Sequence, residues 1–301
     1  MNYDKHLTTI PWSDYELLDS GDNMKLERFG AVVVVRPETQ ALWRKLRPEL
    51  WESAHAEFAF RDKKGAWAIK KTVPESWPVA WHDARALARL TGFKHTGIFP
   101  EQAPNWEWLS KRCRDVVRPD MPQVLNLFGY TGIASVVAAQ SGAFVTHVDA
   151  SKQSLDWAHE NARVSGVGEG SIRWMLDDAL AFVKREARRG AKYDGIILDP
   201  PAFGRGAKGE VWKIEEDLPT LLGALKEIFS DKSGSFFLVN GYAAGYAPRA
   251  LAQAVESTFG ETGGECGELF IQESSTERVI PAGIYVRFAR HTADSVLGFV
   301  R

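Results

Sequence analysis

The sequence predicts an α/β protein: a doubly wound, mostly parallel sheet of seven strands, preceded by a small β-rich or α+β domain. From residue 122 to 238, short apolar runs alternate with amphipathic segments, the order that gives a parallel sheet covered by helices on both faces. Several of these runs end in aspartate, glycine or proline, and the carboxyl ends of strands are where such sheets take ligands. Composition also shifts near residue 100, since eight of the eleven tryptophans lie at or before Trp108. The division is therefore placed between residues 1–100 and 101–301.

In the first part, residues 25–36 (KLERFGAVVVVR) and 54–70 (AHAEFAFRDKKGAWAIK) carry β-branched and aromatic residues around turn-prone positions, the second bending at 62–65. In the second part, residues 123–128, 143–149, 171–176, 193–199 and 235–240 read as strands. Residues 133–141, 152–165, 179–189 and 215–229 read as helices, with apolar residues three and four apart. The tail, 269–290, reads as two further strands that complete the sheet with an antiparallel edge.

A 45% apolar and 25% charged composition is that of a globular chain, and no apolar run approaches the ~20 residues of a membrane span. The N-terminus MNYDKHLTTIPW lacks the basic segment, apolar core and cleavage site of an export signal, so a cytoplasmic location is expected. Cys113 and Cys266 are too few and too far apart in sequence for a disulfide framework or a zinc cluster. The 37 basic and 39 acidic side chains nearly cancel, so any nucleic-acid partner must be met by a local patch.

The stretch Val124-Leu-Asn-Leu-Phe-Gly-Tyr-Thr-Gly132 runs from an apolar strand into a glycine-bearing loop and then a helix. Glycines at a strand end let a ligand approach the backbone, so Asn126, Phe128, Gly129, Tyr130, Thr131 and Gly132 are candidate cofactor contacts. Seventeen residues past Gly132 the next strand ends at Asp149, followed by Ala150; a carboxylate there suits two ribose hydroxyls. Asp149 also suits the cap of the next helix, although Ser151 is an equally good cap.

Dinucleotide sites use three glycines against a pyrophosphate, whereas Gly129-Tyr130-Thr131-Gly132 has two. That favours a ligand without pyrophosphate, such as S-adenosylmethionine. The third strand ends Leu176-Asp177-Asp178-Ala179, where Asp178 suits the exocyclic amine of adenine, the N-cap of the following helix, or both. The fourth strand ends Asp199-Pro200-Pro201-Ala202-Phe203-Gly204. Paired prolines fix φ and remove backbone donors, which leaves carbonyls and the Asp199 carboxylate as acceptors, with Phe203 close behind for stacking.

Together these residues resemble the class I, Rossmann-like methyltransferases. More narrowly they resemble the group of large-subunit 23S ribosomal RNA methyltransferases that modify cytosine at carbon 5 or guanine at nitrogen 7. Tyr15-Glu-Leu-Leu-Asp-Ser-Gly21, Lys25-Leu-Glu-Arg-Phe-Gly30 and His95-Thr-Gly-Ile-Phe-Pro-Glu-Gln102 look like that group's small N-terminal domain and the segment that closes over the cofactor. The resemblance implies that Asn126 and Phe128 line the methionine end, Asp149 the ribose, Asp178 the adenine, and residues 199–203 the methyl acceptor.

Carbon-5 enzymes need a cysteine thiolate near the acceptor, and neither cysteine falls in such a motif, so a base nitrogen of RNA is the expected acceptor. Asp199, with Pro200, Pro201 and Phe203, is the expected catalytic set. Tyr242 and Tyr246 are further stacking candidates or ordinary loop packing. Arg61-Asp62-Lys63-Lys64 with Lys70-Lys71, and Lys111-Arg112-Cys113-Arg114, are candidate phosphate contacts or solvated faces. The near-zero charge also suits a small-molecule or protein acceptor. A non-catalytic cofactor- or RNA-binding module is opposed by the intact Asp199-Pro200-Pro201.

Overall fold

The computed structural model describes residues 1–61, 64–115, 121–205, 211–242, 245–260 and 262–290. The chain opens with β1 (Leu7–Thr9), β2 (Tyr15–Gly21), β3 (Met24–Phe29), β4 (Val32–Pro37), β5 (Ala56–Arg61), β6 (Lys64–Ile69), β7 (Trp77–Trp81) and β8 (Ala84–Ala88). Then come α1 (Ala103–Asp115), β9 (Gln123–Leu127), α2 (Ile133–Gln140), β10 (Phe144–Asp149), α3 (Lys152–Val164), β11 (Ile172–Leu176) and α4 (Ala179–Arg188). It closes with β12 (Gly195–Leu198), β13 (Phe203–Arg205), β14 (Val211–Lys213), α5 (Ile214–Ile228), β15 (Phe236–Gly241), α6 (Pro248–Phe259), β16 (Glu265–Gln272) and β17 (Val279–Ala289).

Among the described residues the main sheet has eight strands, in the order β1-β16-β17-β15-β12-β9-β10-β11. The five strands from β15 to β11 run parallel, and β17 pairs antiparallel with both β15 and β16. Along β9, Val124 packs in one core and Leu125 in the other; Ile197 and Ile196 on β12, and Phe236 and Phe237 on β15, divide in the same way. Burial on both faces is why these strands read as unbroken apolar runs.

The expected count of seven is corrected to eight. Leu7–Thr9 adds a parallel edge strand against Leu269–Ile271. Three residues are too short for a period-two signal, and their pairing is decided by backbone register with a segment far along the chain.

Strand order reverses between β9 and β12, because β9 leads outward to β10 and β11 while β12 leads outward to β15. A crevice opens outside the strand ends at such a switch point, and both Asn126 and Asp199 lie there. Two helices on its rim are capped from the sequence: the Ser151 hydroxyl accepts from Ser154 N at 3.2 Å, and Asp178 Oδ1 accepts from Ala181 N at 2.8 Å.

The N-terminal strands β2-β3-β4-β5-β6 form a second sheet, and β7–β8 form a separate hairpin. Both share a core with the first face of the main sheet, where Tyr15, Phe29, Trp77 and Val79 pack with Ile133 and Trp106. The hairpin is locked to α3: Leu87 N donates to Asn161 Oδ1 at 2.8 Å, and Trp157 Nε1 donates to Leu87 O at 2.7 Å. Among the described residues, no helix is long and apolar enough to cross a membrane.

Candidate active site

Two adjoining cavities lie over the switch point. One, of about 330 Å³, is walled by residues that include Phe128, Tyr130, Asp149, Ala150, Asp177, Asp178, Ala179, Asp199 and Pro201. The smaller, of about 70 Å³, is walled by Asn126, Phe128, Gly129, Tyr130, Thr131 and Asp199 among others. Gly132, Pro200 and Phe203 belong to neither wall.

The loop after β9 is held in unusual backbone geometry, with φ of +55° at Phe128 and +48° at Tyr130. Non-glycine residues are uncommon there, and such strain clusters at ligand sites. The glycines also meet a packing demand of the fold, and Gly129 lines the smaller cavity as well. A Cβ on Gly129 would stand 2.3 Å from the His147 ring, and one on Gly132, at φ +79°, would stand 2.8 Å from Ala158 Cβ. They let the loop pack down onto β10 and α3. Behind it Asn126 Nδ2 donates to Ser135 Oγ at 2.9 Å, which lies 2.9 Å from His147 Nδ1. Burial drives the His147 pKa down to about 3, with His159 adding to the effect, so the ring is neutral.

Asp149 sits at the tip of β10. Its Oδ2 accepts from Tyr130 N and its Oδ1 from Ser151 N, each at 2.8 Å. Burial raises its pKa, and the two backbone donors oppose that rise. Each oxygen keeps acceptor capacity. At the tip of β11, Asp178 is the helix cap and also lines the larger cavity. Asp177 beside it accepts from Asp178 N at 2.9 Å and pairs with Arg185.

Asp199 lies at the meeting of the two cavities. Among the described residues its Oδ1 is buried without a hydrogen-bond partner, a costly state for an acceptor. Burial, with Glu101 adding to it, pushes its pKa up to about 8, against the lowering effect of the Tyr242 hydrogen bond. The Pro201 and Ala202 carbonyls are engaged within the chain, where the sequence left them as acceptors facing the cleft. Pro201 O accepts from Trp212 Nε1 at 2.7 Å and Ala202 O from Ile214 N at 3.1 Å. The reason is the β13–β14 hairpin, which folds Trp212 back over the prolines; Trp212 lines the larger cavity and packs on Phe128 with ring centroids 4.9 Å apart. Phe203 is 57% exposed. Gly204 faces the cavity, and strand alternation puts Phe203 on the other side.

Sequence reasoning missed the wall opposite. Gly97, Ile98, Phe99 and Gln102 line the smaller cavity, and Phe99 stands 5.7 Å from Tyr130 and 5.5 Å from Tyr242 between ring centroids. Glu101 is buried nearby, and burial raises its pKa to about 7 against the pull of Lys25 and Arg36. Only the likeness of residues 95–102 to a closing segment pointed here. Tyr246 is exposed and lies outside both walls.

Cys113 and Cys266 are buried in the cores, outside the cavity walls, and burial pushes the Cys113 thiol up to about 12. Among the candidate phosphate contacts, Asp62 and Lys63 lie outside the described residues. Lys70 pairs with Glu57 at 2.6 Å and Lys71 donates to the Glu52 and Ser53 carbonyls. On α1, Arg112 lies 3.8 Å from Asp115 and Arg114 donates to Ser110.

Residues 59–249 match the family model of S-adenosylmethionine-dependent methyltransferases. The chain belongs to that family. A solved SAM-dependent methyltransferase from Agrobacterium tumefaciens is 40% identical and superposes with a TM-score of 0.90, covering 96% of this chain and 95% of that one. The protein SMU.776, solved in complex with SAH, shares the fold at 20% identity with a TM-score of 0.72, over 92% of this chain and 75% of that one. A ribosomal RNA large subunit methyltransferase K/L from Shewanella frigidimarina (strain NCIMB 400) is 31% identical over 161 residues, covering 53% of this chain. The chain spans 22% of the length of that relative. This methyltransferase therefore uses S-adenosylmethionine as its methyl donor.

Proposed function

We propose that this methyltransferase acts on a nitrogen of an RNA base, with ribosomal RNA as substrate. The observation that carries the reading is the buried Asp199 Oδ1 where the two cavities meet, unpartnered among the described residues, in a chain whose thiols are both buried elsewhere. An acceptor oxygen in that position suits an exocyclic N–H. A nitrogen with its own lone pair needs orientation and proximity rather than a covalent enzyme adduct. With its pKa at about 8, the ionised fraction of Asp199 that can take up the amine proton grows as pH rises towards 8.

When bound, S-adenosylmethionine supplies a methyl group on a sulfonium. Asp149 holds the ribose, with Ala150 beside it. Asp178, Asp177 and Ala179 border the adenine. Asn126, Phe128 and the loop residues Gly129, Tyr130 and Thr131 border the methionine end, with Gly132 packing the loop against α3. The fit rests on the free acceptor capacity at Asp149 and on the apolar walls given by Phe128, Val148 and Trp212. Asp199, on the rigid Pro200-Pro201 step, orients the acceptor. Phe99 and Tyr242 line the larger cavity with Asp199 and are available for stacking, and Phe203 is available to a strand outside the cavity. Residues 1–100 are read as the substrate-recognising part and 101–301 as the cofactor-binding part; Phe60 and Ile69, 63% and 58% exposed on β5 and β6, suit such a surface.

The ribosomal assignment draws on the Shewanella relative. It is tested by incubating the protein with methyl-labelled S-adenosylmethionine and unmodified 23S ribosomal RNA, then digesting to nucleosides for mass spectrometry. An N-methylated nucleoside is expected. 5-Methylcytidine would overturn the nitrogen acceptor, and label appearing only in small molecules or protein would overturn RNA.

A further inference from the structure

We propose that Tyr242 is the positioning residue for Asp199: a directional chain of hydrogen bonds starting at Arg287 points the Tyr242 proton at the carboxylate and leaves Oδ1 to meet the incoming amine. The inference rests on the reading of Asp199 as the group that orients the acceptor.

The direction follows from donor and acceptor counts. A guanidinium only donates, and Arg287 is fixed on β17 by Glu265, whose Oε1 accepts from Arg287 Nε at 2.6 Å. Arg287 Nη1 lies 3.1 Å from Asn105, so the atom facing it must be the amide oxygen, Oδ1. The Asn105 NH2 then points the other way. Its two protons go to Asn240 Oδ1 at 2.9 Å and to Gln102 Oε1 at 3.0 Å. That in turn commits the Gln102 NH2 to donate to the Tyr242 hydroxyl at 2.6 Å. The hydroxyl has one proton, which the Gln102 NH2 cannot accept, and among the described residues its other partner is Asp199, beside it in the wall of the larger cavity. Each amide orientation is thus dictated by the one before, back to a group that cannot be reversed.

The chain crosses the fold. Arg287 is on the antiparallel strand, Asn105 on α1, Asn240 at the end of β15, and Gln102 in the short turn of helix Pro100–Gln102 ahead of α1. Thr9 on β1 adds a further tie, donating to Pro100 O at 3.0 Å. The ring of Tyr242 rests against Phe99, so the hydroxyl can be removed while the packing stays.

The titratable groups facing Asp199 are Glu101 from the short helix and Tyr242 from beyond β15. Tyr130, Asp149, Asp177 and Asp178 share the cavity, and Lys25, Arg36 and Glu27 stand behind Glu101. Glu101 disfavours ionisation of Asp199 and Tyr242 favours it.

The test is a 13C NMR titration of the full chain labelled at the aspartate carboxyl carbons, with the Asp199 signal assigned by its loss in Asp199→Asn. Wild type is expected to titrate near the raised value of about 8. Tyr242→Phe is expected to move the midpoint upward by about half a unit or more, as loss of a donor to a carboxylate requires. Gln102→Met, which keeps the hydroxyl but frees its proton, is expected to move it upward by less. Thermal unfolding of each variant reports folding independently. An unmoved midpoint in folded Tyr242→Phe overturns the positioning role. A shifted midpoint together with undiminished methyl transfer by Asp199→Asn leaves the hydrogen bond in place but removes the acceptor role of Asp199, and the proposal with it.

Discussion

Thr131 donates its hydroxyl to the carbonyl of Gly97 at 2.6 Å, and its own carbonyl accepts from Asn161 Nδ2 at 2.8 Å. One residue of the loop after β9 is thereby tied to both the segment ahead of α1 and to α3. Gly97 adopts φ +93° with its Cα pressed on Trp157, where a Cβ would stand 2.2 Å from the ring. The cavity walls on either side of this contact are thus held at a fixed separation.

Thr131→Val keeps the shape of the side chain and removes the donor. The buried Gly97 carbonyl loses its partner, so a loss of about 1–3 kcal/mol in urea unfolding is expected. Because Ile98 and Phe99 follow Gly97 in the wall, affinity for S-adenosylmethionine is expected to fall as well. Calorimetric titration returning wild-type affinity would show that the wall does not depend on this bond.

Gly129→Ala has nowhere to put its methyl group, since the His147 ring is 2.3 Å away and is itself fixed by Ser135. Overpacking of this kind costs about 1–3 kcal/mol, and the loop must lift away from β10. Gly142→Ala is the control: its φ of +91° brings strain of about 1–2 kcal/mol, but the site is open and the cavity is distant. Both variants are expected to unfold earlier on heating, and only Gly129→Ala is expected to lose cofactor binding.

Legibility in the sequence followed the range of the forces involved. Strands β9, β10, β12 and β15 were readable because burial on both faces makes each a largely apolar run, and β11 from its position in the strand-helix alternation. Asp149 and Asp178 were readable because a strand tip is a local feature. Trp212 was not, since it reaches Pro201 only after a hairpin turns the chain back. Glu101 and Tyr242 lie 98 residues before and 43 after Asp199 by number, and no periodicity marks their convergence. The packing demand on the glycines was not legible, because a small residue reads the same whether a ligand or a neighbouring histidine needs the space.

Asp149→Asn separates ribose binding from loop structure. The amide has one acceptor oxygen where the carboxylate has two, so either Tyr130 N or Ser151 N loses its partner. Hydrogen bonds to a charged group contribute about 1.5–3 kcal/mol, so affinity is expected to fall by about 10- to 100-fold. S-adenosylmethionine and S-adenosylhomocysteine share the ribose, so calorimetry should return equal losses for the two. A loss confined to one ligand would place Asp149 away from the sugar.

The Asp199 carboxyl makes stability depend on pH in a direction opposite to that of the buried histidines. Its pKa rises from 3.8 to about 8 on folding, chiefly through burial. Between those values the folded chain holds a proton that the unfolded chain has lost, so its contribution is full below about pH 4 and declines as pH climbs towards 8. Glu101, raised to about 7 by burial, acts in the same sense over a narrower window. His147 and His95, lowered by burial to about 3 and about 4, do the reverse: they are neutral in the fold, and stability falls as pH drops below about 6.5. Asp199→Asn cannot ionise. Its melting temperature is therefore expected to exceed that of wild type at pH 9, with the difference shrinking towards pH 5. The double variant with Glu101→Gln is expected to widen the difference at pH 9. Melting curves that stay parallel to wild type from pH 5 to 9 would mean that Asp199 ionises at little cost in the fold, and the origin of its raised pKa would have to be abandoned.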